Sequence, residues 1–318
     1  MSVTEANKTW AIDYPDLMNK AVVSEQMHWH ELEADLQEDL RQWRDGTITD
    51  AEKSLITEIM KTFTQSDVEV AKGYSDFFLP TFQNLSVTHM LISFLARECI
   101  HQRAYAMFVD TVGLPMDSFS VFQEYGELVE RLEEMTNMDV STTPGIARAV
   151  ARTVVSEGVC LFGAFAILLN FQRYGKLRGL CTINEWSIKD ENLHVEGMVQ
   201  LFQKFVEENP DAVTDRLKAD IYQMFRDAVE LEDKFIDLAF KNCYDGIEGL
   251  EASEVKAYIR YLADRRLIQL GLKGNYNVRD NPLPWISNII GGANHTNFFE
   301  QRVTDYAAGG LTGEWGWE

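Results

Sequence analysis

Cysteine is scarce in this chain and shows no pairing pattern. Cys99, Cys160, Cys181 and Cys243 are the four in 318 residues, and no two form a C-x-x-C. A disulfide framework is excluded, and a reducing, cytoplasmic setting is expected. Cationic charge is also in deficit. Lys and Arg number 29 against 50 Asp and Glu, a formal net charge of −21. Nucleic acids and anionic membranes need cations to neutralise their phosphates, so neither is expected as a partner. Long hydrophobic runs are missing too. The longest, Val159 to Leu169, falls well short of the roughly 20 residues a spanning helix needs. The polar stretch from Met1 to Trp10, with Glu5 inside it, is no secretory signal. There is no strand–Asn-Gly–strand signature, fixed-period repeat or low-complexity tract, which removes the usual marks of hairpins and solenoids.

Helical periodicity dominates what is present. Ile221, Met224, Phe225, Ala228, Leu231, Phe235 and Leu238 recur at steps of three and four, the pattern of one buried stripe. Leu55, Ile56, Ile59, Met60 and Phe63 do the same behind the capping box Thr49-Asp50-Ala51-Glu52. Thr143-Pro144 and Asn209-Pro210 read as two further helix starts. Only seven prolines punctuate the chain. The spacing predicts helices near 24–44, 50–72, 86–113, 118–136, 144–174, 183–207, 211–241 and 253–271. Hydrophobic residues at 46% and charged residues at 25% suit a folded, soluble protein. Glycines gather at the end, at 291, 292, 309, 310, 313 and 316. The expectation is an all-α domain over 1–290 and a flexible tail over 291–318.

Chemistry enters through acids on apolar faces. Glu98-Cys99-Ile100-His101 and Glu191-Asn192-Leu193-His194 each place Glu and His three apart, about 60° round a helix, so both can reach one metal ion. One such pair is commonplace on a solvated surface. Two, each in a strongly apolar helix, are not. Glu157 directly precedes Gly158 and the longest apolar run, where a carboxylate needs a proton, a cationic partner or a metal. Asp67 shares a stripe with Met60 and Phe63, although Glu58 and Glu69 lie nearby. Four carboxylates and two histidines on four helices are the ligand set of a ferritin-like di-metal carboxylate bundle. Oxygen donors with one imidazole per ion suit iron or manganese better than structural zinc. Tyr105, four residues after His101, falls on the same face, where an oxidising metal pair could convert it to a phenoxyl radical.

These residues resemble the small, radical-generating subunit of class I ribonucleotide reductase. The likeness rests on "FTQSD", "ARECIHQRAY", "SEGVCLFGAFA", "KDENLH", "YIRYLADRRL", "NPLPW" and "NFFEQRVTDY", in that order over almost the whole chain. It implies that Asp67, Glu98 and His101 hold one ion and that Glu157, Glu191 and His194 hold the other, with Glu98 as the bridge. It further implies that Tyr105 is the radical tyrosine. Trp29, with Asp190 linking it to His101, begins a radical-transfer route, and Tyr306 continues that route in the tail. Apart from the resemblance, Trp29 and Asp190 would read as an ordinary aromatic and a solvated acid.

The implied cofactor is a pair of metal ions per chain, Fe or Mn, acting with an oxygen-derived oxidant. A homodimer is implied, with a separate large subunit docked through the C-terminal tail and a flavoprotein activator if manganese is used. The tail departs from the family in ending Gly313-Glu314-Trp315-Gly316-Trp317-Glu318, where Trp315 and Trp317 could be docking anchors. Leu161 stands where other members often carry an aromatic. The alternative function is a ferritin-like oxidase acting on a bound small or lipid substrate, which would need no radical-transfer tail.

Overall fold

The computed structural model describes residues 2–115 and 138–290. Met1–Pro282 is one compact unit and Leu283–Glu318 a second, in which 284–290 is helical. The helix expected over 118–136 and the tail bearing Tyr306, Trp315 and Trp317 lie outside the described residues. What is described is all-α. The longer helices are α1 (Pro15–Gln26), α2 (Gln37–Asp45), α3 (Asp50–Lys72), α4 (Leu85–Val112), α5 (Thr143–Val155), α6 (Phe162–Gln172), α7 (Arg178–Glu208), α8 (Asp215–Ala239) and α9 (Ala252–Gln269). Two π-helical turns interrupt this order, Gly73–Phe78 after α3 and Ser156–Cys160 between α5 and α6.

Local chemistry explains the helix starts. Thr49 and Glu52 form the expected reciprocal cap of α3, and Asn84 caps α4 through the Ser86 N–H. Three expected starts shift, that of the 183–207 helix moving back to Arg178. The 24–44 segment breaks after Gln26, because His30 and Glu33 cap a separate 3-10 turn and Trp29 turns inward to be buried. A tertiary contact there overrides helical periodicity. Asn209 does not cap α8, since its side chain donates back to the Phe205 carbonyl at 2.9 Å. Pro210–Ala212 forms a 3-10 turn, and Thr214 caps α8 instead. The α8 stripe is buried from Ile221 to Phe235, with Leu238 half-buried at its end.

The core is a ring of helices. α3 packs on α4, α4 on α7, α7 on α5 and α6, and α6 on α3, while α8 and α9 cover the outside of α5 and α6. Thr143–Gln172 forms a continuous helical stretch, longer than the apolar run within it. It is the one segment among the described residues long and apolar enough to cross a membrane, and its apolar window is wholly buried in the protein. Closeness at the α4–α7 crossing depends on Gly197. A Cβ there would meet Phe94 Cζ at 2.7 Å, Phe94 Cε2 at 2.8 Å and Met90 Sδ at 2.9 Å. Alanine would gain about 1 kcal/mol of helix propensity, but overpacking costs about 1–3 kcal/mol. The Phe94 ring has little room to yield, being packed on His194 with centroids 4.4 Å apart. Gly197→Ala is therefore expected to lower the melting temperature, which a thermal melt reads directly.

Candidate metal centre

Four elements deliver six side chains to one place. α3 brings Asp67, α4 brings Glu98 and His101, the π turn at Ser156–Cys160 brings Glu157, and α7 brings Glu191 and His194. All six are at most 2% exposed. They fall into two overlapping groups with ligand atoms close enough to share an ion: Asp67, Glu98 and His101; and Glu98, Glu157, Glu191 and His194. Glu98 belongs to both, with Oε2 at 3.6 Å from His101 Nδ1 and Oε1 at 3.1 Å from His194 Nδ1. Glu191 also spans the pair, with Oε1 at 3.3 Å from His101 Nδ1 and Oε2 at 3.4 Å from His194 Nδ1. Two carboxylates, not one, lie between the imidazoles. The neighbouring acids sort themselves out: Glu58 pairs with Lys61 and Lys241, and Glu69 with Lys72.

The electrostatics require a counter-charge. Asp67 Oδ2, Glu157 Oε2 and both oxygens of Glu98 and Glu191 are buried without an aligned hydrogen-bond donor, which is costly in a native core. With protons as the only counter-charge, burial pushes Asp67 and Glu157 well above the usual carboxylate range, helped by repulsion from Glu98 and Glu191. Burial would also raise Glu98, but the imidazoles of His101 and His194 hold it down at about 2. Burial opposes charging His194, yet Glu191 and its neighbours raise it to about 10. Two divalent cations would balance four carboxylates, and the donor set of oxygens with one imidazole each fits such ions.

The outer residues are placed as follows. Asp190 Oδ2 accepts from Trp29 Nε1 at 2.8 Å and lies 3.1 Å from His101 Nε2. A proton on Nε2 leaves Nδ1 facing the carboxylates, so this contact fixes tautomer and ring orientation. The Trp29 and His101 rings stack with centroids 5.8 Å apart. Tyr105 is fully buried, and its hydroxyl donates to Ser187 Oγ at 3.2 Å. Burial, then the nearby Asp67 and Glu191 charges, raise its pKa well above the ordinary phenol value, against the Ser187 hydrogen bond. Phe63 meets the Tyr105 ring edge-on at 4.7 Å and Phe165 at 5.0 Å. Phe108 and Leu161 are fully buried as well.

Sequence reasoning missed three neighbours. Arg97 Nε lies 3.3 Å from Asp190 Oδ2, and its guanidinium donates to the Trp29 carbonyl at 3.0 Å. Ser187 holds the Tyr105 hydroxyl. Tyr74 Oη donates to Glu157 Oε1 at 2.6 Å. The available signals were adjacency to Glu98 for Arg97, one helical turn before Glu191 for Ser187, and a spacing of seven from Asp67 for Tyr74.

Helical architecture and buried cluster together define a ferritin-like helical protein with a carboxylate–histidine centre able to hold two metal ions. The profile of the family described as "Ribonucleotide reductase, small chain" matches residues 6–282. A probable ribonucleoside-diphosphate reductase small subunit of Invertebrate iridescent virus 3 is 37% identical, over 96% of this chain and 85% of that one. The chain belongs to the ribonucleotide reductase small-chain family, and its role is that of a small subunit working with a large one. Among solved structures, the R2 subunit from Clostridium botulinum aligns with a TM-score of 0.80 at 23% identity, over 89% of this chain and 91% of that one. The dimanganese(II)-NrdF of Streptococcus sanguinis aligns with a TM-score of 0.78 at 19% identity, over 90% and 99%. Both likenesses bear on the fold.

Proposed function

We propose that this small subunit generates and stores a tyrosyl radical at Tyr105 and passes its oxidising equivalent to the large subunit, which reduces ribonucleotides. The observation that carries the reading is the pair of carboxylates, Glu98 and Glu191, each directing one oxygen to each of two buried imidazoles. Asp67 and His101 complete the set for one ion, and Glu157 and His194 for the other. Two iron or manganese ions held there, with an oxygen-derived oxidant, supply one-electron oxidising power. Iron is favoured by the family; a manganese-loaded form would depend on a flavoprotein activator. The alternative, an oxidase of a bound small or lipid substrate, is not favoured by the family match.

The chain's own residues supply the rest. Tyr105 gives up one electron and its phenolic proton, with Ser187 Oγ as the group its hydroxyl faces. Phe63 packs edge-on against the ring, backed in turn by Phe165, and helps to exclude water from it. Trp29, Asp190 and His101 form a hydrogen-bonded line from the cluster outward, suited to moving an electron together with a proton. Tyr306 continues it in the tail. We place the docking contact in residues 291–318, with Trp315 and Trp317 as apolar anchors, and expect a homodimer. We place the protein in a reducing, cytoplasmic setting, where its four cysteines stay out of disulfides.

Metal analysis with electron paramagnetic resonance after aerobic loading tests the reading. Two ions per chain and a phenoxyl signal are expected, and a chain that takes up no metal would overturn it. A chain shortened to residues 1–290 is expected to keep ions and radical yet lose turnover with the large subunit. Turnover equal to that of the full chain would remove the tail from the mechanism.

A further inference from the structure

Tyr74 has no part in radical storage or transfer as proposed above, yet it touches the centre directly. Its side chain is fully buried, and its hydroxyl donates to Glu157 Oε1 at 2.6 Å. The ring is held on several sides, with centroids 6.1 Å from Phe78, 6.2 Å from Phe94 and 6.3 Å from His194. The phenol is thus held by packing as well as by its hydrogen bond.

Both partners sit in unusual backbone. Tyr74 lies in the π-helical turn Gly73–Phe78 and Glu157 in the π-helical turn Ser156–Cys160. Such turns re-aim side chains and recur at functional sites. Asp67, seven residues before Tyr74 and on the helix that leads into its turn, reaches the other half of the cluster. The two oxygens of Glu157 are then unlike. Oε1 is occupied by the phenol, while Oε2 has no aligned donor and lies 3.8 Å from His194 Nδ1. Glu98 and Glu191 differ, since both oxygens of each face imidazoles.

We infer that Tyr74 is a positioning residue that commits Glu157 to bind its ion through Oε2 alone. The inference rests on the reading that the cluster holds two ions. A carboxylate held by one oxygen takes one coordination position instead of two, so the ion beside His194 keeps room for an incoming oxidant. Tyr74 acts through Glu157 and touches no ion itself. Groups that orient a metal ligand in this way typically change metal affinity about 10–100-fold when removed.

The test compares the full-length chain with Tyr74→Phe, each prepared free of metal and titrated with Mn(II), with crystal structures of both manganese-loaded forms. The wild-type chain is expected to bind two ions with Glu157 engaged through one oxygen. In the variant, one of the two ions should bind about 10–100-fold more weakly, and Glu157 should turn to engage through both oxygens. Two ions of unchanged affinity with Glu157 unchanged would overturn this inference alone. A wild-type chain that binds no Mn(II) would overturn the two-ion reading beneath it. Loss of both ions together with the melting transition would make Tyr74 a scaffold residue and also overturn the inference.

Discussion

Tyr105→Phe is expected to leave two ions bound, abolish the phenoxyl signal and reduce ribonucleotide turnover with the large subunit to background. The substitution removes one oxygen from a ring that is otherwise held by its packing. The hydroxyl's hydrogen bond is to Ser187 Oγ at 3.2 Å, and such a bond contributes about 1 kcal/mol. The ring's burial and its edge contact with Phe63 at 4.7 Å are kept. Stability should therefore change little while the function is lost outright. That separation is what identifies a redox role, because a residue important only for packing would lose both together. Metal analysis, a thermal melt and electron paramagnetic resonance on one preparation check it. A surviving phenoxyl signal would move the assignment to Tyr74, the other buried phenol beside the cluster among the described residues; full turnover would sink the radical role of Tyr105.

The six residues of the centre were legible because helical spacing is a short-range property. Glu98 and His101, or Glu191 and His194, share a face whatever the rest of the chain does. Glu157 stood out because an acid beside a long apolar run has no solvent to turn to. Asp67 needed the family resemblance to be preferred over Glu58 and Glu69, and the fold supplies the physical reason by giving those two acids lysine partners. Other features lay beyond local rules. The Trp29–Asp190 hydrogen bond joins residues 161 apart in sequence, and burying Trp29 accompanies the break of the helix expected over 24–44. No 3.6-residue pattern reveals a π turn, so the spacing of seven from Asp67 could bring Tyr74 toward the cluster but not show that it meets Glu157. Spacing also says nothing of how far a side chain reaches, which is why Glu191 was not recognised as a second carboxylate between the histidines.

Glu98→Gln should cost the centre both ions, where a change at Asp67 or Glu157 should chiefly weaken one. Glu98 is the residue common to the two ligand groups, and each of its oxygens serves a different imidazole. Glutamine keeps the shape but offers one oxygen and no charge. It also turns an amide N–H toward a site that needs donors of electron pairs. Mn(II) titration is expected to fall from two ions toward none, and the phenoxyl signal with it; two ions retained would refute the bridging role. The metal-free protein gives an independent reading. The histidines hold Glu98 at about 2, below its ordinary value of 4.5, so its pairing stabilises the fold in full above about 4.5 and is lost as pH falls towards 2. The melting temperature of metal-free Glu98→Gln should accordingly lie below that of the metal-free wild type near neutral pH. The gap should narrow as the solution is acidified through that window, and a constant gap would place the destabilisation in packing instead of charge.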